Sequence, residues 1–160
     1  HAGIYLIAII IGESDELVNK KIGAAISGGL LPIFCVGELL DERKAGQTAE
    51  VVTRQIKQGL AGLGAEKVSA VTIAYEPVWA IGTGLTATPQ QAQEVHALIR
   101  TLLGQMYDAQ LADEIRILYG GSVKPGNAGE LIGRQDIDGL LVGGASLKAE
   151  DFIAIIKAAV

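Results

Sequence analysis

Two hydrophobic rhythms alternate along the chain. LLPIFCV (Leu30 to Val36) is a short unbroken apolar run, with Gly28-Gly29 before it and Gly37 after. VTIAY (Val71 to Tyr75), IRILY (Ile115 to Tyr119) and GLLVGG (Gly139 to Gly144) follow the same plan. Continuous apolar runs of this length predict strands buried on both faces. Between them apolar positions recur every three or four residues, the period of a helix with one buried face. Asp15 to Ile26 follows Ser14, a good N-cap, and stops at the glycine pair. Thr48 to Leu60 sets Val51, Val52, Ile56 and Leu60 on one side. Gln90 to Leu103 opens after Thr88-Pro89, a cap followed by a first-turn proline. A short helix is predicted at Asn127 to Ile132, and a last one at Ala149 to Ala159 carries Phe152, Ile153, Ile155 and Ile156.

Doubly buried strands separated by helices imply parallel βα units with right-handed crossovers, an α/β fold. Nothing in the sequence divides the units, so residues 1–160 are expected to form one domain. An open doubly wound sheet and a (β/α) barrel both fit, and either places chemistry at the C-terminal ends of the strands. With 49% hydrophobic and 19% charged residues the chain is globular. A net charge of −5 argues against a nucleic-acid or anionic-membrane partner. One cysteine excludes an internal disulfide and predicts a reducing, cytoplasmic setting. The longest apolar run, Ile4 to Ile11, is too short to span a bilayer, and no basic segment precedes it. The first residue is His1 and not Met, which leaves trimming, tagging or incompleteness open.

The residues that follow each strand carry the chemistry. Gly37-Glu38 follows the first, Glu76-Pro77-Val78-Trp79 the second, Gly120-Gly121-Ser122 the third, and the fourth runs into Gly143-Gly144-Ala145-Ser146. Glycine pairs before a helix free backbone N–H groups to surround an anion, with the helix dipole assisting. Two such pairs on the rim that holds Glu76 point to a small phosphorylated ligand. Cys35 reads as a small buried hydrophobe. His96, inside a helical run, reads as a surface or boundary residue, with no metal spacing near it. Gly82-Thr83-Gly84-Leu85-Thr86-Ala87 fits the dinucleotide pattern G-x-G-x-x-A, but six residues separate it from the strand and the helix signal lies beyond it. No nucleotide, other cofactor or metal is therefore expected.

AYEPVWAIGTG (Ala74 to Gly84), YGGSV (Tyr119 to Val123) and LVGGASL (Leu141 to Leu147) stand in this order, with FCVGE, ATPQQAQEVHALIR and DIDGLLVGG around them. This set resembles the triosephosphate isomerase family from about Gly12 onward. The resemblance implies the part of a TIM-type (β/α) barrel from the end of strand four to helix eight. It also implies the interconversion of dihydroxyacetone phosphate and glyceraldehyde 3-phosphate in glycolysis and gluconeogenesis. By the same carry-over Glu76 is the base that moves a proton between adjacent substrate carbons, in a closed, dry pocket. Gly82, Ser122, Leu141, Gly143 and Gly144 bind the substrate, chiefly through backbone N–H groups on its phosphate. Pro77, Val78 and Trp79 form the first hinge of a lid, Ala80, Ile81, Gly82, Thr83 and Gly84 its tip, and Leu85, Thr86 and Ala87 its second hinge. Tyr75, Tyr119, Glu38 and Trp79 latch that lid.

The same resemblance exposes departures. The family's Asn-x-Lys segment has no counterpart here, and its Gly-His-Ser-Glu-Arg-Arg falls, by spacing, on Gly3-Ile4-Tyr5-Leu6-Ile7-Ala8. Ile4 stands where the electrophilic histidine belongs, with His1 three residues upstream, and an alkyl group cannot donate to an oxyanion. Leu85 replaces a hinge lysine. A complete barrel takes about 250 residues, so impaired turnover is expected. An open barrel edge implies a homodimer or larger assembly, in which Ile4 to Ile11 is a candidate interface strand. The alternatives are a catalytically silent phosphate-binding half barrel and a structural fragment that associates.

Overall fold

The computed structural model describes residues 3–8 and 12–159. Among these residues, five parallel strands form one sheet: β1 (Ile4–Ala8), β2 (Leu31–Val36), β3 (Thr72–Tyr75), β4 (Ile117–Tyr119) and β5 (Gly139–Leu140). Their order in the sheet is their order in the chain. A doubly wound sheet reverses direction at a switch point; a barrel wall never does. The topology is therefore that of a partial barrel. Pairing runs Ile4 with Leu31, Ile33 with Thr72, Ile73 with Ile117 and Leu118 with Gly139.

Helices α1 (Asp15–Ser27), α3 (Thr48–Gly59), α5 (Pro89–Met106), α7 (Pro125–Ile132) and α8 (Ala149–Ala158) match the five predicted segments within a few residues. Ser14 caps α1 by accepting from the Leu17 N–H at 3.3 Å. Thr88 and Gln91 exchange bonds of 3.1 and 2.9 Å, a reciprocal cap that starts α5 at its proline. Three short helices, α2 (Leu40–Lys44), α4 (Ala65–Val68) and α6 (Ala109–Glu114), add to the expected set. They are too brief to show a period.

Phe34, Val36, Ile73, Tyr75, Ile117 and Tyr119 point outward from the sheet into a core shared with Val18, Ile22, Val52, Ile56, Ile99 and Leu103 of the helices. The inner face departs from expectation. Leu31 is 47% exposed, Ile4 71% and Leu6 51%, because that end of the arc has no opposing wall among the described residues. The run read as Gly139 to Gly144 pairs only as far as Leu140, with one further bond from the Leu141 N–H to the Tyr119 carbonyl at 2.9 Å. The run from Ile115 begins as a strand two residues late, since Ile115 closes α6 through the Leu111 carbonyl. On α8 only Ile155 is buried, while Phe152, Ile153 and Ile156 stay exposed. Within the Ile4 to Ile11 run, β1 accounts for Ile4 to Ala8; Ile9, Ile10 and Ile11 lie outside the described residues, as does His1.

Candidate functional site

Glu76 follows β3 directly. Its backbone N–H donates to the Val36 carbonyl at 2.7 Å, and the Gly120 N–H donates to the Tyr75 carbonyl at 2.8 Å. Neighbouring strand ends are thus drawn in around it. Two glycines make the approach possible. A Cβ on Gly37 would strike the Glu76 carbonyl, and one on Gly120 would lie 2.5 Å from Glu76 Cγ and 2.9 Å from Oε1. The side chain is half-buried. Burial raises its proton affinity above the usual carboxylate range, and the Cys35 thiol beside it pulls it partly back. Burial, then the Glu76 charge, pushes the Cys35 thiol far up, which makes it a poor nucleophile.

The fully buried Glu38 carboxylate gathers donors from four elements. Tyr75 donates its hydroxyl to both oxygens at 3.1 Å and Trp79 its Nε1–H to Oε1 at 2.9 Å. Arg43 donates to the same oxygen at 3.2 Å and Thr48 at 3.4 Å. The Arg43 guanidinium also lies 5.4 Å over the Trp79 ring. Trp79 sits in a single 3-10 turn, Val78–Ala80, that leads from buried Pro77 into the exposed loop Ile81 to Thr86. Gly82 (φ 69°) and Gly84 (φ 84°) take left-handed conformations in that loop. Thr83 bridges it, donating its hydroxyl to the Trp79 carbonyl at 2.6 Å and accepting from the Leu85 N–H at 3.2 Å. The dinucleotide reading stays excluded: this segment is loop, and α5 starts only at Pro89.

Tyr119 is buried, with its hydroxyl unpaired and its phenol pushed up to about 12 by burial, against a smaller pull from the Ala87 backbone. His96 corrects the surface reading, since it is fully buried. Its ring packs 5.9 Å from that of Tyr75 and 6.4 Å from that of Tyr119, with Nδ1 3.1 Å from the Asp136 carbonyl. A neutral imidazole satisfies that bond, and burial lowers its pKa to about 4.

One open cavity of about 700 Å³ joins Glu76 to Gly82, Ser122, Leu141, Gly143 and Gly144, with Ala80 and Ile81 on its lid side. No atom lies within 4 Å of where a Cβ on Gly143 or Gly144 would stand, so their backbones face free space. Leu6 and Val142 line the same cavity although β1 and β5 are the outermost strands. The sheet must therefore curl. Tyr75, Glu38, Trp79, Val78, Pro77, Thr83, Gly84 and Tyr119 do not line the cavity; they stand behind it or in the loop above it. Among the described residues no group of His, Cys, Asp and Glu is arranged to hold a metal, and no helix is long and apolar enough to cross a membrane.

Residues 9–159 match the triosephosphate isomerase family model. The chain belongs to that family. It is 60% identical over 149 residues to the triosephosphate isomerase of Carboxydothermus hydrogenoformans, covering 93% of this chain and 59% of that protein. Identity to the triosephosphate isomerase of Rhodopirellula baltica is 56% over 150 residues, 94% of this chain and 59% of the relative. For Geobacter metallireducens the figures are 59% over 146 residues, 91% and 58%. The chain thus spans about three-fifths of the length of these curated relatives. The family match starts after Ile4 and Leu6.

Several participants were not foreseen from sequence. Gln55 clamps Gly37, accepting from its N–H at 2.9 Å and donating to its carbonyl at 3.0 Å. Its place between Val52 and Ile56 on the buried side of α3 is the signal that could have found it. Arg43 and Thr48 on Glu38, Leu6 in the cavity, and Lys124 and Lys148 along its lining had no local signature.

Proposed function

We propose that this chain, acting as one shortened barrel domain in the cytoplasm, binds triose phosphates and interconverts dihydroxyacetone phosphate and glyceraldehyde 3-phosphate. One observation carries the reading: the Glu76 carboxylate and the glycine backbones of both strand-end loops line a single cavity. The phosphate sits against the N–H groups of Gly82, Ser122, Gly143 and Gly144, with Leu141 beside them. The substrate carbons then lie toward Glu76, which takes a proton from C1 of the ketose and returns it to C2. Burial favours this, since it raises the carboxylate's proton affinity toward the working pH. Pro77 to Ala87 close over the ligand, and Tyr75, Glu38, Trp79 and Tyr119 set the lid's position. The pathway is glycolysis and gluconeogenesis.

Turnover is expected to be low. The inner face of β1 offers alkyl groups where an oxyanion donor is needed, and loss of such a donor costs ~10²–10³-fold. That same observation supports a second reading, a phosphate-binding half barrel without catalysis. Self-association accompanies either one: β1 pairs only with β2 among the described residues, and Ile4, Leu31, Phe152, Ile153 and Ile156 are exposed. Titration calorimetry with phosphoglycolate separates these readings from failure of the site, because no binding at millimolar ligand would refute both. If the chain turns over triose phosphate, Glu76→Gln should lower the rate ~10²–10⁴-fold. An unchanged rate would remove Glu76 from the reaction. A folded monomer by light scattering at micromolar concentration would refute the homodimer.

A further inference from the structure

The cavity has two chemically different kinds of lining. Nothing lies within 4 Å of where a Cβ on Gly82, Gly143 or Gly144 would stand. Leu6 of β1, Ile81 of the lid and Val142 after β5 add apolar residues to the lining of the same volume. Leu6 is 51% exposed and Ile81 42%, so both have surface left to bury. Strand alternation explains the direction of Leu6: its neighbour Ile7 is 1% exposed in the helix-side core, which turns Leu6 to the inner face. At about 700 Å³ the space lies in the range of pockets for drug-sized ligands, larger than a three-carbon body requires. Leu6 lies outside the stretch that matches the family model, while Ile81 and Val142 lie within it.

The geometry points to a second ligand class for this site: phosphate monoesters with an apolar, aromatic-sized body, the phosphate on the glycine backbones and the body against Leu6. The inference rests on the phosphate cradle proposed above but not on catalysis. A triose phosphate, polar along its length, gains nothing from an alkyl wall; a phenyl ring displaces water from it. Leu6 then acts as a specificity-determining residue. Contact with one half-exposed leucine corresponds to the lower end of hydrophobic pocket discrimination, about tenfold.

Methyl phosphate and phenyl phosphate, titrated calorimetrically into the parent chain, carry the same headgroup and differ only in the body. Phenyl phosphate is expected to bind about tenfold tighter. Leu6→Ser should erase that advantage and leave methyl phosphate affinity unchanged, while Leu6→Phe should keep it. An unaltered near-UV circular dichroism spectrum and the methyl phosphate titration report whether each variant still folds. Equal affinity of the parent for the two esters overturns this inference and leaves the cradle standing. An advantage that survives Leu6→Ser overturns the role of Leu6. Binding of neither ester by the parent refutes the cradle, and this inference with it.

Discussion

Removing the Glu38 carboxylate should loosen both the fold and the lid. Glu38→Ala takes away the acceptor shared by the Tyr75 hydroxyl, the Trp79 indole, Arg43 and Thr48. All four groups would lose that acceptor in a largely enclosed site: Tyr75 is fully buried, and the Arg43 side chain is 20% exposed. Breaking a buried ion pair from one side costs about 3–5 kcal/mol, most of it the penalty on the stranded partner. That is a large share of the ~5–15 kcal/mol that holds a domain together. Glu38→Gln keeps the volume and one acceptor oxygen but loses the charge, so roughly 1–2 kcal/mol is expected. Urea denaturation followed by far-ultraviolet circular dichroism measures both values. Trp79 is the chain's one tryptophan, so its emission reads the hinge directly and should shift to the red in folded Glu38→Ala. A loss below about 1 kcal/mol for the alanine variant, or equal losses for both, would show that the carboxylate does not organise this cluster.

Gly120→Ala should displace the Glu76 side chain, since the new methyl meets Cγ at 2.5 Å. The expected cost is about 1–3 kcal/mol from overpacking, together with weaker phosphoglycolate binding by calorimetry; unchanged affinity would refute the contact. His96 contributes pH dependence of definite sign. Its pKa falls from 6.5 to about 4 on folding, so the unfolded chain binds a proton that the folded chain refuses, and stability drops as pH falls through that window. The loss amounts to at most roughly 3–4 kcal/mol, and His96→Gln, compared by urea titration at neutral and acidic pH, should lack it. Cys35, fully buried with its thiol pushed up, should resist a disulfide-exchange reagent in the native state and react at once in urea; rapid native labelling would contradict its burial.

The strands and the longer helices were legible because each depends on local pattern. Ser14 and Thr88-Pro89 marked helix starts that the hydrogen bonds reproduce, and the unbroken apolar runs marked strands of the parallel sheet. The short helices were not legible, since four to six residues carry no period. Glycine-flanked motifs placed Glu76, Ser122, Gly143 and Gly144 on one rim before any coordinates. Distance along the chain hid the rest. Arg43 and Thr48 reach Glu38 through the turn that folds α2 back toward α3, and Leu6 reaches Val142 only because the sheet curls. His96 was misread because a titratable residue within a helical run reads as solvent-facing. The Asp136 carbonyl that partners its Nδ1 lies 40 residues away.

The sequential strand order also governs how order is lost. Among the described residues every strand pairs only with its neighbours in the chain, so the molecule behaves as a row of coupled units, each stabilised by those beside it. The central unit, β3 with Glu76 at its end, is held on both flanks by β2 and β4. The terminal units have one partner each, and β5 contributes only two residues to the ladder. Fraying should therefore enter from β1 and β5 and reach β3 last, giving amide protons a protection gradient that peaks in the middle of the sheet. The proposed base then sits on the slowest-exchanging strand of the molecule, while the phosphate-binding glycines after β5 sit on one of the fastest.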